Sequence, residues 1–152
     1  MPAHGDHVPL SDHLLRYISK KYFDKETGQV EGAGFLARQG EGAPSANWME
    51  CFSFPLENQV LQIRCVKRLT YEKRGRLARI NVGQTIQHVA DNADTLIQLS
   101  FVHDELQAAE NFPADPSHVL MHGVPELFSS EADFIGDLLR ETIVDLIEPV
   151  PG

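Results

Sequence analysis

Apolar and polar positions change period several times along the chain, and each change marks an expected element. Leu14, Leu15, Ile18 and Tyr22 recur at helical spacing behind Ser11, whose hydroxyl suits an N-cap. The spacing predicts a helix there, with Arg16, Lys20 and Lys21 facing water, after a flexible leader over residues 1–10. Phe23 to Gly28 forms the exit, with Asp24 and Gly28 as turn residues. A short strand is expected over Gly32–Ala37, followed by a loop over 39–44 that holds Gly40, Gly42 and Pro44. Asn47–Phe52 is a second expected strand. Trp48, Glu50 and Phe52 would share one face, and Met49 and Cys51 the other.

Pro55 suits a helix start, and Leu56, Val60, Ile63 and Lys67 keep helical time after it. Leu61, Ile63 and Cys65 also alternate with polar residues as a strand would; the helix is the preferred expectation. Tyr71 to Gly75 is a basic turn, and Leu77–Val82 a strand with Ala78, Ile80 and Val82 on one face, ended by Gly83. Ile86, Val89, Ala90 and Ala93 fit a short helix. Thr95–His103 alternates as a strand with Ile97, Leu99 and Phe101 inward, a polar loop spans 104–117, and Ser117–Gly123 forms another strand. Ser130, with Asp133 in the capping-box position, would start a last helix. Its apolar stripe runs from Phe134 through Leu138 and Ile143 to Ile147, opposite the acidic residues Glu131, Asp137, Glu141 and Asp145. Pro149–Gly152 is a tail that cannot continue a helix. Short strands alternating with ordinary helices predict one α+β domain over 11–148, a small mixed sheet carrying three to four helices.

Composition changes this picture little. A chain of 152 residues, 42% hydrophobic and 23% charged, is ordinary for one globular domain. Two cysteines, Cys51 and Cys65, are too few for a disulfide framework and are expected reduced. The first residues lack the basic and apolar regions of a signal peptide, and no apolar run approaches the ~20 residues of a membrane span. A cytoplasmic protein without membrane contact is expected.

Charge adds more. Seven of the 13 Lys and Arg residues lie between Arg64 and Arg79, opposed there only by Glu72. From Asp91 onward, 13 acidic residues face the single base Arg140. Such segregation implies a partner, a ligand or an internal pairing of the two halves. The whole chain carries −9, which disfavours nucleic acid as a partner.

Candidate chemistry is sparse. His118 and His122 project to one face of the expected strand, and His103-Asp104 ends its expected neighbour, so these residues are weak candidates for a metal site. Cys51 is a nucleophile candidate, with His88 or His118 as its base and His103 as a further member of such a site; a small buried hydrophobe is the plainer role for a cysteine between Glu50 and Phe52. Trp48 is a core residue or a stacking surface. Arg64, Lys67, Arg68, Arg76 and Arg79 are the candidate binding residues. No G-x-G-x-x-G, G-x-x-x-x-G-K-[ST] or G-x-S-x-G is present, and no cofactor is expected.

Three stretches carry a resemblance: Ser45-Ala46-Asn47-Trp48-Met49-Glu50-Cys51-Phe52, Gly75 to Gly83, and Pro116-Ser117-His118 running to Gly123-Val124-Pro125-Glu126. Together they resemble a family of small bacterial proteins with no assigned activity. The resemblance covers most of residues 10–147, implies a bacterial source and a single domain, and transfers no catalytic residue. The expected function is an interaction or accessory module that uses the basic segment 64–79 and the acidic helix 130–147 towards a protein partner or another copy of itself. An enzyme with a Cys/His site, with or without a metal, is the alternative, and nucleotide or nucleic-acid binding through the basic segment a further one.

Overall fold

The computed structural model describes residues 3–38, 41–93, 97–125 and 129–151. Its centre is a six-stranded sheet, every pairing antiparallel, in place of the mixed sheet expected. The strands are β1 (His13–Ile18), β2 (Ser45–Trp48), β3 (Arg76–Asn81), β4 (Ser100–His103), β5 (His118–His122) and β6 (Asp145–Ile147). They lie in the order β4-β5-β2-β1-β3-β6. Three α-helices, α1 (Leu56–Val66), α2 (Val82–Asn92) and α3 (Ser130–Glu141), cover it, so the α+β class holds. No helix among the described residues is long and apolar enough to cross a membrane.

The helix expected behind Ser11 is instead β1, a central strand. Both of its faces are covered, so its apolar residues do not alternate with polar ones. Leu14 and Ile18 enter one core with Phe35, Val89, Ile135 and Leu139. Leu15 and Tyr17 enter a second core with Val60 and Ile63 of α1, and Tyr71. Thus α2 and α3 lie on one face of the sheet and α1 on the other. Arg16, also on β1 and 1% exposed, sends its guanidinium to the carbonyls of Gly34, Leu36 and Ser45, at 2.8, 2.7 and 2.6 Å. Burial, then Arg38 nearby, lowers its pKa to about 9, so it is charged at neutral pH.

Other expectations shift in kind or in bounds. Gly32–Phe35 is a 3₁₀ turn rather than a strand, and its residues pack under α3. The strand through Trp48 stops there, and Met49–Cys51 is another 3₁₀ turn, so Glu50 and Phe52 do not continue its face. Helix α1 follows Pro55 as expected. Strand β3 ends at Asn81, whose side chain accepts the Gln84 N–H and caps α2; Gly83 lies in that helix's first turn. Ser129, one residue before the expected cap, caps α3 by accepting from Ala132 N–H. That helix stops at Glu141. The β-branched run Thr142-Ile143-Val144 leads the chain back to the sheet edge, where β6 pairs with β3. Leu146, expected on a core stripe, is 45% exposed. The strand expected from Thr95 begins at Ser100, and Thr95 lies outside the described residues, as does Glu126.

The expected flexible leader runs along β4. Gly5 and Val8 donate main-chain hydrogen bonds to His103 and Phe101, His103 donates to Asp6, and Val8 is buried. The tail is held as well, because Arg64 donates to the carbonyls of Glu148 and Pro149 at 2.7 and 3.0 Å.

Candidate functional site

Two of the stretches that carry the resemblance meet across the sheet, since β2 pairs with β5 at Asn47 and His118. Asn47 Nδ2 donates to Asp115 Oδ2 (3.0 Å) and Ser117 Oγ (2.8 Å). The Ser117 hydroxyl and N–H both donate to Asp115 Oδ1, at 2.7 and 2.9 Å. Asp115 is 1% exposed, so these donors offset its desolvation. Trp48 Nε1–H donates to Asp12 Oδ2 at 2.8 Å, and Glu50 accepts the His13 N–H at 2.7 Å while its other oxygen lies 2.9 Å from His13 Nδ1. The result is a polar network whose members are committed to one another.

Cys51 sits inside this network with Sγ 3.5 Å from the Pro116 carbonyl. Burial, followed by the nearby carboxylates of Asp115, Asp12 and Glu50, pushes its thiol up to about 12. That is the reverse of the electropositive setting a nucleophilic thiol needs. The histidine candidates divide between the two faces of the sheet. His103 lies with Val119 and Met121 on the α2/α3 side, buried edge-on against Trp48, with Nε2 2.8 Å from the Pro116 carbonyl. His118 and His122 project from the opposite face. His118 Nδ1 lies 3.0 Å from Asp104 Oδ2, while His122 is exposed near Arg38 and Glu41 around a cleft of about 350 Å³. No group of three or more His, Cys, Asp and Glu residues among the described ones is arranged to hold a metal ion.

Most of the candidate basic residues have internal partners. Arg64 holds the tail, as described. Lys67 Nζ donates to Leu69 O (3.1 Å) and lies 5.0 Å from the Tyr71 ring. Arg68 donates to the carbonyls of Gln107 and Pro113, at 2.8 and 3.0 Å, and stacks over Phe112. Arg79 pairs with Asp145 of the neighbouring strand. Arg76 donates to the Gly75 and Lys73 carbonyls, which turns its side chain along the outside of the basic turn.

What remains open is a groove beside that turn. Lys73, Arg74 and Arg76 line it from one segment and Lys20 from another, with Phe23, Val150, Pro151 and Glu148, around about 550 Å³. Lys20, Lys73 and Arg74 are exposed, and their side chains make no hydrogen bond or ion pair with any described residue. Sharing Lys20 and Phe23, the groove continues into a cleft of about 510 Å³ that adds Lys21, Lys25, Asp24 and Glu72. Asp24 in turn lines a third cleft, of about 410 Å³, with Glu31, Asp133, Asp137 and Arg140.

Of the expected binding residues only Arg76 lines the groove. Lys73 and Arg74 belong to the expected basic segment 64–79, whereas Lys20 and Phe23 lie outside it. The cluster Lys20, Lys21 and Lys25 is the available signal, and it is masked when β1 and its exit are taken for a helix with a solvated basic face. The chain matches no family model, no curated protein and no solved structure.

Proposed function

We propose that this protein is an interaction module whose groove between Lys20 and Lys73-Arg74-Arg76 receives an acidic segment of a protein partner. The observation that carries this reading is the convergence of cations from two distant segments on one open groove, the side chains of three of them without a described partner. Phe23, Val150 and Pro151 add an apolar floor, so a side chain beside the partner's carboxylates has a surface to cover. The net charge of −9 selects a short, local anion over a long one. A nucleic-acid strand extending past the groove would meet the repulsive field of the rest of the molecule. The high thiol pKa of Cys51 and the separation of His103 from His118 and His122 favour this reading over a Cys/His enzyme.

A fluorescein-labelled glutamate-rich peptide carrying one phenylalanine is the direct probe, followed by fluorescence anisotropy. Binding is expected at about 0.05 M salt, weakening at least tenfold by about 0.5 M. Lys73→Glu/Arg74→Glu, both exposed and therefore tolerated by the fold, is expected to abolish it. Unchanged binding by that variant removes the groove from the account. Tighter binding of a single-stranded oligonucleotide would assign the groove to nucleic acid instead.

A further inference from the structure

The partner's acidic surface has a counterpart on this chain. The groove carries Lys20, Lys73, Arg74 and Arg76 against Glu148, a net charge of +3. The cleft beside α3 carries Asp24, Glu31, Asp133 and Asp137 against Arg140, a net charge of −3. Both are open, and the intervening cleft joins them through Lys20, Phe23 and Asp24. The boundary is a tight hairpin in which Phe23 bridges Val30 and Gly28 turns at φ +74°. Asp24 Oδ1 there accepts the N–H groups of Glu26 and Thr27, which holds its carboxyl below the usual carboxylate range and keeps it ionised.

Two adjacent patches of equal and opposite charge form a self-complementary surface. A two-fold axis through the hairpin sets the basic groove of each copy against the acidic cleft of the other, twice, and the assembly closes. Phe134, 47% exposed, lies on α3 between Asp133 and Asp137. From this juxtaposition we infer that the groove's partner is a second copy of the same chain, docked as an isologous dimer by opposite charge. The inference rests on the groove reading above and names its occupant.

The test is charge exchange, read by size-exclusion chromatography with light scattering. At about 0.05 M salt and ~50 µM protein the wild-type chain is expected at twice its 17.0 kDa mass, and at that mass once in about 0.5 M salt. Lys73→Glu/Arg74→Glu alone and Asp133→Lys/Asp137→Lys alone are each expected to be monomers at low salt. An equimolar mixture of the two should return to the dimer mass, because each altered patch then faces its complement. Circular dichroism of each variant, expected to match the wild type, separates lost docking from lost folding. A wild-type monomer at low salt overturns the dimer, as does a wild-type dimer with a mixture that stays monomeric. Larger species in the wild type would replace closure by head-to-tail growth and overturn the two-fold arrangement. If the wild type is monomeric yet binds the glutamate-rich peptide, the groove stands and only its self-docking fails.

Discussion

The two thiols of this chain meet opposite surroundings. Cys65 is exposed on α1, whereas Cys51 is half-buried among Asp12, Glu50 and Asp115. At about pH 8 a thiol whose pKa is about 12 is ~10⁻⁴ thiolate, so Ellman's reagent should titrate Cys65 alone in the native protein and both cysteines in guanidinium. Rapid native labelling of Cys51 would contradict the acidic surroundings described here. Arg16 makes a second prediction at this scale. Its guanidinium serves three carbonyls at once, and Arg16→Met leaves all three without that donor in a dry site. A loss of roughly 3–5 kcal/mol in urea denaturation is expected, and Arg16→Lys should recover only part of it, since one ammonium cannot reach three acceptors. Nothing in the sequence distinguished Arg16 from a surface arginine. Its acceptors lie 18 to 29 residues away, on a turn and a strand that only the fold brings to it.

At the scale of elements, the crossing of α3 over the 3₁₀ turn at Gly32–Phe35 is set by absent side chains. A Cβ on Gly136 would stand 2.5 Å from the Gly32 carbonyl oxygen, and one on Gly32 would stand 2.6 Å from the Asp137 nitrogen. In an exposed helix interior, glycine to alanine stabilises by about 1 kcal/mol. Here Gly136→Ala forces the helix off the turn, and thermal or urea unfolding should show a loss of about 1–3 kcal/mol instead. A gain would mean that the close crossing is absent in solution. Several elements were legible from periodicity. Helix α1 after Pro55 and the first turns of α3 are half-covered elements, and their hydrophobic pattern records which side is covered; strand β3 was legible from Ala78 and Ile80, although Leu77 is buried on its other face as well. Strand β1 was not legible, because burial on both faces removes the alternation, and the spacing of Leu14, Leu15 and Ile18 then matches a helix as well as a strand. The end of α3 was misplaced for a related reason. Ile143 and Ile147 continue its apolar count although they belong to the return towards β6 and to β6 itself.

At the scale of the molecule, the segregation of charge resolves into two parts. Much of the basic segment is spent internally. Arg64 fastens the tail, Arg68 fastens the 104–117 loop, and Arg79 pairs with Asp145 on the neighbouring strand. The remainder, Lys73, Arg74 and Arg76, meets Lys20 at the groove, and the acidic outer face of α3 stands beyond the Asp24 hairpin rather than against it. The groove is therefore the place where salt should act most strongly. Lys20, Lys73 and Arg74 are exposed there and screened within about 8 Å at physiological ionic strength, whereas the guanidinium of Arg16 is shielded from the solution.

By itself the sequence determined the α+β class, the half-exposed elements and the fact that opposite charges are gathered at different places. Those properties depend on local periodicity and on counts, which any stretch of chain displays. The tertiary structure decided which arginines are spent on carbonyls, that His103 and His118 face apart, and that Lys20 joins Lys73 and Arg74 across more than fifty residues. These depend on antiparallel pairing: β1 lies between β2 and β3, and its register with β3 brings Ile18 opposite Arg76. Neighbours in a sheet are set by long-range burial, and no local spacing encodes them.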